Sequence, residues 1–295
     1  MSAPVLAADA ASHLDSPGLL GTVGLAVLGG LGMYFLIGAI FELAYYRRRE
    51  QAAEWKCQPG RWPTPRARRH ELWLGTANLT AASVASGLFV HHVTHGGYTT
   101  MYVSLAEHGL AYSIASGVGY LVVSDLLLYW AHRLFHTPAL YRGVHKLHHR
   151  WGSPTAFTAM AMHPIEFATY QSIAILPLFV VPLHAYAVIA VLVVTNYYAL
   201  VDHSGVKTWS WLPFIAPSQF HDDHHAHFHV NYGQTLPFWD RMFGTARRRG
   251  RRYGVEVFGG KGAGDAAAQA APYWDYARGA TNDEPAADSA RAAAR

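Results

Sequence analysis

Residues 109–136 read GLAYSIASGVGYLVVSDLLLYWAHRLFH, an apolar run that ends on two histidines four positions apart. Between Gly109 and Ala131 the one charged residue is Asp125. As a helix rising about 1.5 Å per residue, the run is long enough to cross the hydrocarbon core of a bilayer. It therefore predicts a membrane helix that passes directly into HRLFH. Residues i and i+4 share one helix face, so His132 and His136 aim at a common point. An acid inside such a run is costly unless partnered. Asp125 lies two turns before His132 on roughly the same face, where it could accept a ring N–H from a metal-binding histidine. The plainer reading gives it an internal water or a polar contact between helices.

Two further clusters follow: HKLHH at 145–149 and HDDHHAHFH at 221–229. Together the three runs hold ten of the nineteen histidines. Neutral imidazole binds first-row transition metals well, and structural histidines come scattered rather than grouped. His132, His136, His145, His148, His149, His221, His224 and His225 are therefore read as metal donors. His203, in VDHSG, joins them by its position at the end of an apolar stretch. His163, in HPIEF, is open between ligand, ring-orienting group and helix cap, with Pro164 at a first turn and Glu166 favouring the helix dipole. His227 and His229 fall outside the HxxHH repeat and are read as orienting or substrate-side groups. Asp222, Asp223 and Asp240 could orient rings or be solvated charges, with Asp222 the preferred candidate beside Asp125. His91, His92, His95 and His108 fall on the other side of the predicted membrane.

Other apolar stretches run from Leu19 to about Tyr46, from Leu72 to Val90 and from Ile165 to Val201. The last is too long for one span and is broken near Pro182, which predicts a hairpin of two short spans or one that only dips into the bilayer. Lys and Arg gather in 47–70, 132–150 and 206–252 and are absent from 1–16, 92–108 and the turn near Pro182. The positive-inside rule then puts the N-terminus outside and the C-terminus in the cytoplasm after about five crossings. All the histidine clusters fall on the cytoplasmic side. The expected fold is an all-α integral membrane protein of about four to five transmembrane helices with a histidine-rich helical cap. Its expected divisions are a short polar segment (1–16), a membrane-embedded domain (17–258) and a disordered Ala-rich tail (259–295). The start does not resemble a cleaved signal peptide, since no basic region precedes the long apolar stretch.

With 51% hydrophobic and 14% charged residues, the net charge of +4 is read as membrane topology rather than nucleic-acid binding. One cysteine, Cys57, excludes an intrachain disulfide and a thiolate-rich zinc site. No HExxH occurs, so a zincin-type hydrolase lacks its helix and its base. A transporter would place ionisable groups near the bilayer midplane, and a bis-histidine haem protein would place its histidines within the spans. Nine donors suit two metals with positions left free, and non-haem iron fits because open positions can bind dioxygen. A metal-handling membrane protein and a catalytically dead lipid binder are the competing classes.

HRLFH, HKLHH, HPIE, DHSG and HDDHH, followed by NYGQTLPFWDRMFGT, resemble the fatty acid hydroxylase/sterol desaturase superfamily of membrane di-iron oxygenases over roughly residues 115–245. SPTAF, MHPIE, PLH, NYGQ and FWDR are most similar to the sterol C5-desaturase (lathosterol oxidase) group, with FGGKG at 258–262 a weaker echo. The chain departs from the expected pattern at ALVDH, before His203. The resemblance implies two iron ions held by the nine histidines, with His163 at a motif position of open status. It also implies O2 as co-substrate and a sterol-like membrane lipid as substrate. Desaturation and hydroxylation of a fatty acid, carotenoid or other lipid use the same histidines. The chain has no flavin, dinucleotide, haem-attachment or iron–sulfur motif, so electrons from NAD(P)H must arrive through a cytochrome b5-like protein or ferredoxin with its reductase. The basic run Arg247–Arg252 is one candidate dock for it, anionic lipid the other reading.

Overall fold

The computed structural model describes residues 17–210, 214–264, 272, 273 and 276. The polar segment 1–16 lies outside them, as does most of the tail. Among the described residues the chain is helical, with isolated backbone bridges and no strand. The helices are α1 (Leu19–Phe41), α2 (Ala52–Trp55), α3 (Pro65–Thr94), α4 (Leu105–Phe135), α5 (Pro138–Gly143), α6 (Pro164–Ile175), α7 (Ala185–Asp202), α8 (Ser218–His227) and α9 (Phe238–Phe243). Four of them are long and apolar enough to cross a membrane: α1 with its continuation to Tyr46, α3, α4 and α7.

Local chemistry sets the ends of these helices. Thr64 caps α3 by accepting the Ala67 N–H, and Pro65 takes the first position, where a missing N–H costs nothing. Within α4, Gly109 has φ +77°, a conformation open to glycine, so the long apolar helix proper starts after it. α1 and α3 pack closely because small residues face each other. A Cβ at Gly87 would lie 2.6 Å from the Val23 Cα. Leu20, Leu28, Leu110, Ile114, Val180 and Tyr186 stay exposed on the outer faces, as a lipid-facing surface requires.

The segment 165–201 is a hairpin. α6 continues as a 3-10 turn (Leu176–Phe179), together about 26 Å long. The turn beyond it meets the loop before α4: Thr100 N–H donates to Leu178 O (3.0 Å) and Tyr102 N–H to Leu183 O (3.1 Å). α6 thus forms a fifth leg running from the histidine end to the opposite end, although by itself it is too short to span.

At the histidine end, residues 151–163 are drawn into the bundle by buried polar groups. Glu71 on α3 accepts from Thr155 Oγ1 and Thr158 Oγ1, both at 2.5 Å. Asn78 donates to Met160 O and Met162 O, both at 2.9 Å, and Tyr34 donates to Phe157 O (3.0 Å). HKLHH does not lie on an α-helix; His145–Arg150 is a 3-10 turn following α5. The i, i+4 helical argument holds for His221 and His225 in α8.

Candidate metal centre

The structure brings the nine histidines read as donors into two adjoining buried groups. His132, His136, His145, His149 and His224 form one, and His148, His203, His221 and His225 the other. Within each group one ring nitrogen per residue lies within 4.8 Å of all the rest. The two HxxHH motifs divide in opposite senses. His145 and His149 enter the group of five and His148 the group of four, whereas His221 and His225 enter the group of four and His224 the group of five. Each motif therefore contributes to both groups and ties them into one centre.

Hydrogen bonds fix which nitrogen six of the nine rings offer: His132, His136, His145, His148, His203 and His224. A carbonyl or carboxylate oxygen can only accept, so a ring nitrogen facing one carries the hydrogen. His132 Nδ1 donates to Tyr232 O (2.8 Å), His148 Nδ1 to Ala161 O (3.1 Å), His203 Nδ1 to Ala199 O (2.7 Å) and His224 Nδ1 to Val230 O (2.6 Å). His145 Nδ1 donates to Glu166 Oε1 (2.6 Å). His136 is set through a relay: His229 Nε2 donates to Val255 O (2.8 Å), leaving His229 Nδ1 to accept from His136 Nδ1 (2.8 Å).

The opposite nitrogens are left as lone pairs, and they point at one another. His132 and His145 Nε2 are 3.2 Å apart, and so are His148 and His203 Nε2; the Nε2 of His149, whose tautomer no hydrogen bond sets, stands 3.0 Å from that of His224. Facing lone pairs at that distance repel unless a cation lies among them. Adjacent ligands at right angles around an ion with bonds of about 2.1 Å stand about 3.0 Å apart. The donor set therefore fits two transition-metal ions of coordination number above four, with more open positions beside the group of four. Burial keeps the rings neutral, as ligation requires. It pushes His145 down to about 3 and His148 to about 4, and holds His149, His221, His224 and His225 well below the usual imidazole range, with neighbouring histidines adding to the effect.

The other sequence candidates stand elsewhere. Asp125 touches no histidine ring. Its oxygens accept from Thr235 N (3.0 Å) and Trp239 Nε1 (2.9 Å), which latches the 232–239 loop to α4. Asp222 accepts from Gln58 Nε2 (3.0 Å), and burial raises it to about 7. Asp240 folds the same loop by accepting from Tyr232 N (2.8 Å) and Gly233 N (2.6 Å). Asp223 pairs with Arg247 at 2.9 Å. His163 accepts the Ile165 N–H (3.2 Å) and caps α6, outside both groups. His227 also lies outside them. Glu166, read from sequence as a dipole partner, is instead the carboxylate on His145. Its signal was available: a Glu three residues into a helix whose cap follows a histidine cluster. Glu71 and Asn78 had no such signal, because their partners are backbone and threonine groups about eighty residues away.

On the apolar side of the centre, a cavity of about 130 Å³ opens between α4, α6 and α7. Leu128, Phe167, Tyr170, Leu192 and Ala199 line it, and His132, His145, His148 and His203 close one end. An apolar molecule within the helices would thus meet donors of both groups.

Residues 117–245 match the fatty acid hydroxylase family model. Lathosterol oxidase of Rattus norvegicus is 36% identical over 154 residues, covering 50% of this chain and 51% of that protein. A probable Delta(7)-sterol 5(6)-desaturase of Neurospora crassa is 31% identical over 188 residues, covering 62% and 54%. The Delta(7)-sterol 5(6)-desaturase of Leptosphaeria maculans is 37% identical over 130 residues, covering 44% and 36%. The chain spans about half the length, or less, of these curated relatives. No solved structure matches it. The comparisons bear out the resemblance to the fatty acid hydroxylase/sterol desaturase superfamily that the motifs carry.

Proposed function

We propose that this membrane protein is an O2-dependent oxidase that holds two iron ions on its nine clustered histidines and desaturates a sterol-like lipid, with sterol C5-desaturation the specific reaction. The observation that carries the reading is the convergence of ring nitrogens in a group of five and a group of four, beside an apolar cavity between membrane helices. The names of the relatives support the substrate class. Iron bound there would supply reductive activation of O2 and abstraction of hydrogen from an unactivated C–H bond. The balance is two hydrogens from adjacent carbons, one O2, two electrons and two protons, giving an alkene and two waters.

The chain's own residues bind, orient and shield. α4, α6 and α7 offer the apolar wall that holds the lipid against His132, His145, His148 and His203. Glu166, His229 and the carbonyls of Ala161, Ala199, Val230 and Tyr232 hold the ring tautomers. Asp125 and Asp240 fold the loop that carries the Tyr232 carbonyl. On this reading the histidine end faces the cytoplasm. The Lys and Arg of 47–70, 132–150 and 206–252 support that orientation. On the same reading, electrons come from NAD(P)H through a one-electron carrier protein.

The test is expression in a sterol-making host that lacks its C5-desaturase, with sterols profiled by mass spectrometry and iron measured in the purified protein. A conjugated ring-B diene supports the reading. A hydroxylated sterol, fatty acid or carotenoid would move it to hydroxylation, and exchangeable zinc without oxidised lipid would refute it.

A further inference from the structure

A second opening reaches the centre from the side away from the lipid cavity. It is a cleft of about 760 Å³ between the 60–64 loop and the 149–153 segment. Its floor includes His149 and His225, one from each histidine group, and it shares no lining residue with the apolar cavity. Trp62 and Trp151 form part of the wall, and the exposed Arg61 and Arg150 stand in the lining with no carboxylate among the lining residues. Arg66 and Arg69, also exposed, follow on the first turns of α3. The other basic run is largely engaged within the fold. Arg247 is buried against Asp223, the Arg248 guanidinium lies 4.1 Å from the Tyr273 ring centre, and Arg251 donates to Gly262 O (2.7 Å).

We infer that this cleft is the docking surface for an acidic, one-electron carrier protein, which passes its electrons to the centre by way of the His149 and His225 rings. The inference rests on the oxidase reading and adds the place of electron entry. A basic rim without acids attracts an acidic partner and steers its approach. This cleft brings such a partner to donors of both groups, His149 and His225, by a route separate from the lipid cavity. Each docking oxidises the carrier by one electron, and two dockings supply the two electrons of the reaction.

The experiment uses the full-length protein in nanodiscs. The soluble haem domain of a cytochrome b5 and a plant-type ferredoxin serve as probes, with binding measured directly against ionic strength. The variants are Arg61→Glu/Arg150→Glu and, as control, Arg249→Glu/Arg252→Glu. The cleft reversal is expected to weaken binding of at least one probe by about tenfold or more, flatten its salt dependence and raise the KM for that carrier. Iron content and turnover driven by a small chemical reductant stay at wild-type level, and the control changes little. The inference is overturned if neither probe binds the wild type at low salt, if the control variant carries the loss, or if the cleft reversal alters only binding of anionic phosphatidylserine vesicles. Absence of product with the chemical reductant in the wild type would strike the oxidase reading and this inference together. Loss of the docking idea alone is distinct: chemically driven turnover persists and carrier binding ignores Arg61 and Arg150.

Discussion

Glu166 Oε1 stands 2.6 Å from His145 Nδ1, with both side chains buried, so a carboxylate at the start of α6 decides the tautomer of a ring on the turn after α5. The pair joins two parts of the chain that each begin at the histidine end. Tyr170 OH, one turn further along α6, also donates to Oε1 at 3.2 Å, which holds the carboxylate in place. Carboxylates in this position raise the basicity of the ligand ring and fix its direction.

Glu166→Gln should lower iron affinity about 10- to 100-fold while the protein still inserts and folds. Iron retained after dialysis against graded chelator measures this. Retention equal to wild type would remove Glu166 from the support of the centre.

His203→Ala takes one donor from the group of four and should reduce bound iron from about two ions per chain toward one. His163→Ala, which removes only the cap of α6, should leave iron content unchanged and cost about 1 kcal/mol of stability. Metal analysis beside thermal melting separates the two. Loss of iron in the His163 variant would contradict the division of the histidines seen here.

Asp125→Ala leaves the Thr235 N–H and the Trp239 indole N–H without their acceptor. Each such loss costs about 1–3 kcal/mol. The melting midpoint should fall, and the iron that is retained should keep its wild-type spectrum, because Asp240 still holds Tyr232, whose carbonyl accepts from His132. A changed iron spectrum at full occupancy would mean that Asp125 acts on a ligand ring after all.

The metal-free protein should lose stability as pH falls below about 6.5. Burial lowers His145 to about 3 and His148, His227 and His229 to about 4, against about 6.5 in an unfolded chain. The unfolded state then binds more protons, so this stability is fully present above about pH 6.5 and is lost down to about pH 3–4. Glu166 and Asp222, both raised by burial to about 7, and Asp240, raised to about 6, pull the other way but are outnumbered. Melting midpoints of chelator-treated protein between pH 7.5 and 4.5 should therefore decline steadily. A midpoint that rises toward acid would sink the claim that the rings are buried neutral.

Much of the fold was legible because helix length and hydropathy are local properties. The 109–136 stretch announces α4, and the break near Pro182 announces the hairpin. The histidine set was legible for the same reason, since its members cluster within a few residues of one another. Asp125 was misread as a partner for a ring because helical spacing says which face a side chain shares, not what packs against that face. The 232–239 loop, more than a hundred residues away, takes its oxygens instead.

The sequence by itself determined that apolar helices end on histidines and which nine of them were candidates, because composition, periodicity and motif spacing depend on neighbours along the chain. Only the tertiary structure decided how they divide into five and four, that Glu166 and His229 orient rings, and that two separate openings meet the centre. Ring direction follows from the backbone carrying it, 3-10 at HKLHH and α-helical at HDDHH, and from carbonyls and carboxylates on distant segments. Glu71 and Asn78 draw the segment that carries the Ala161 carbonyl into the bundle, and Asp240 folds the loop that carries the Tyr232 carbonyl.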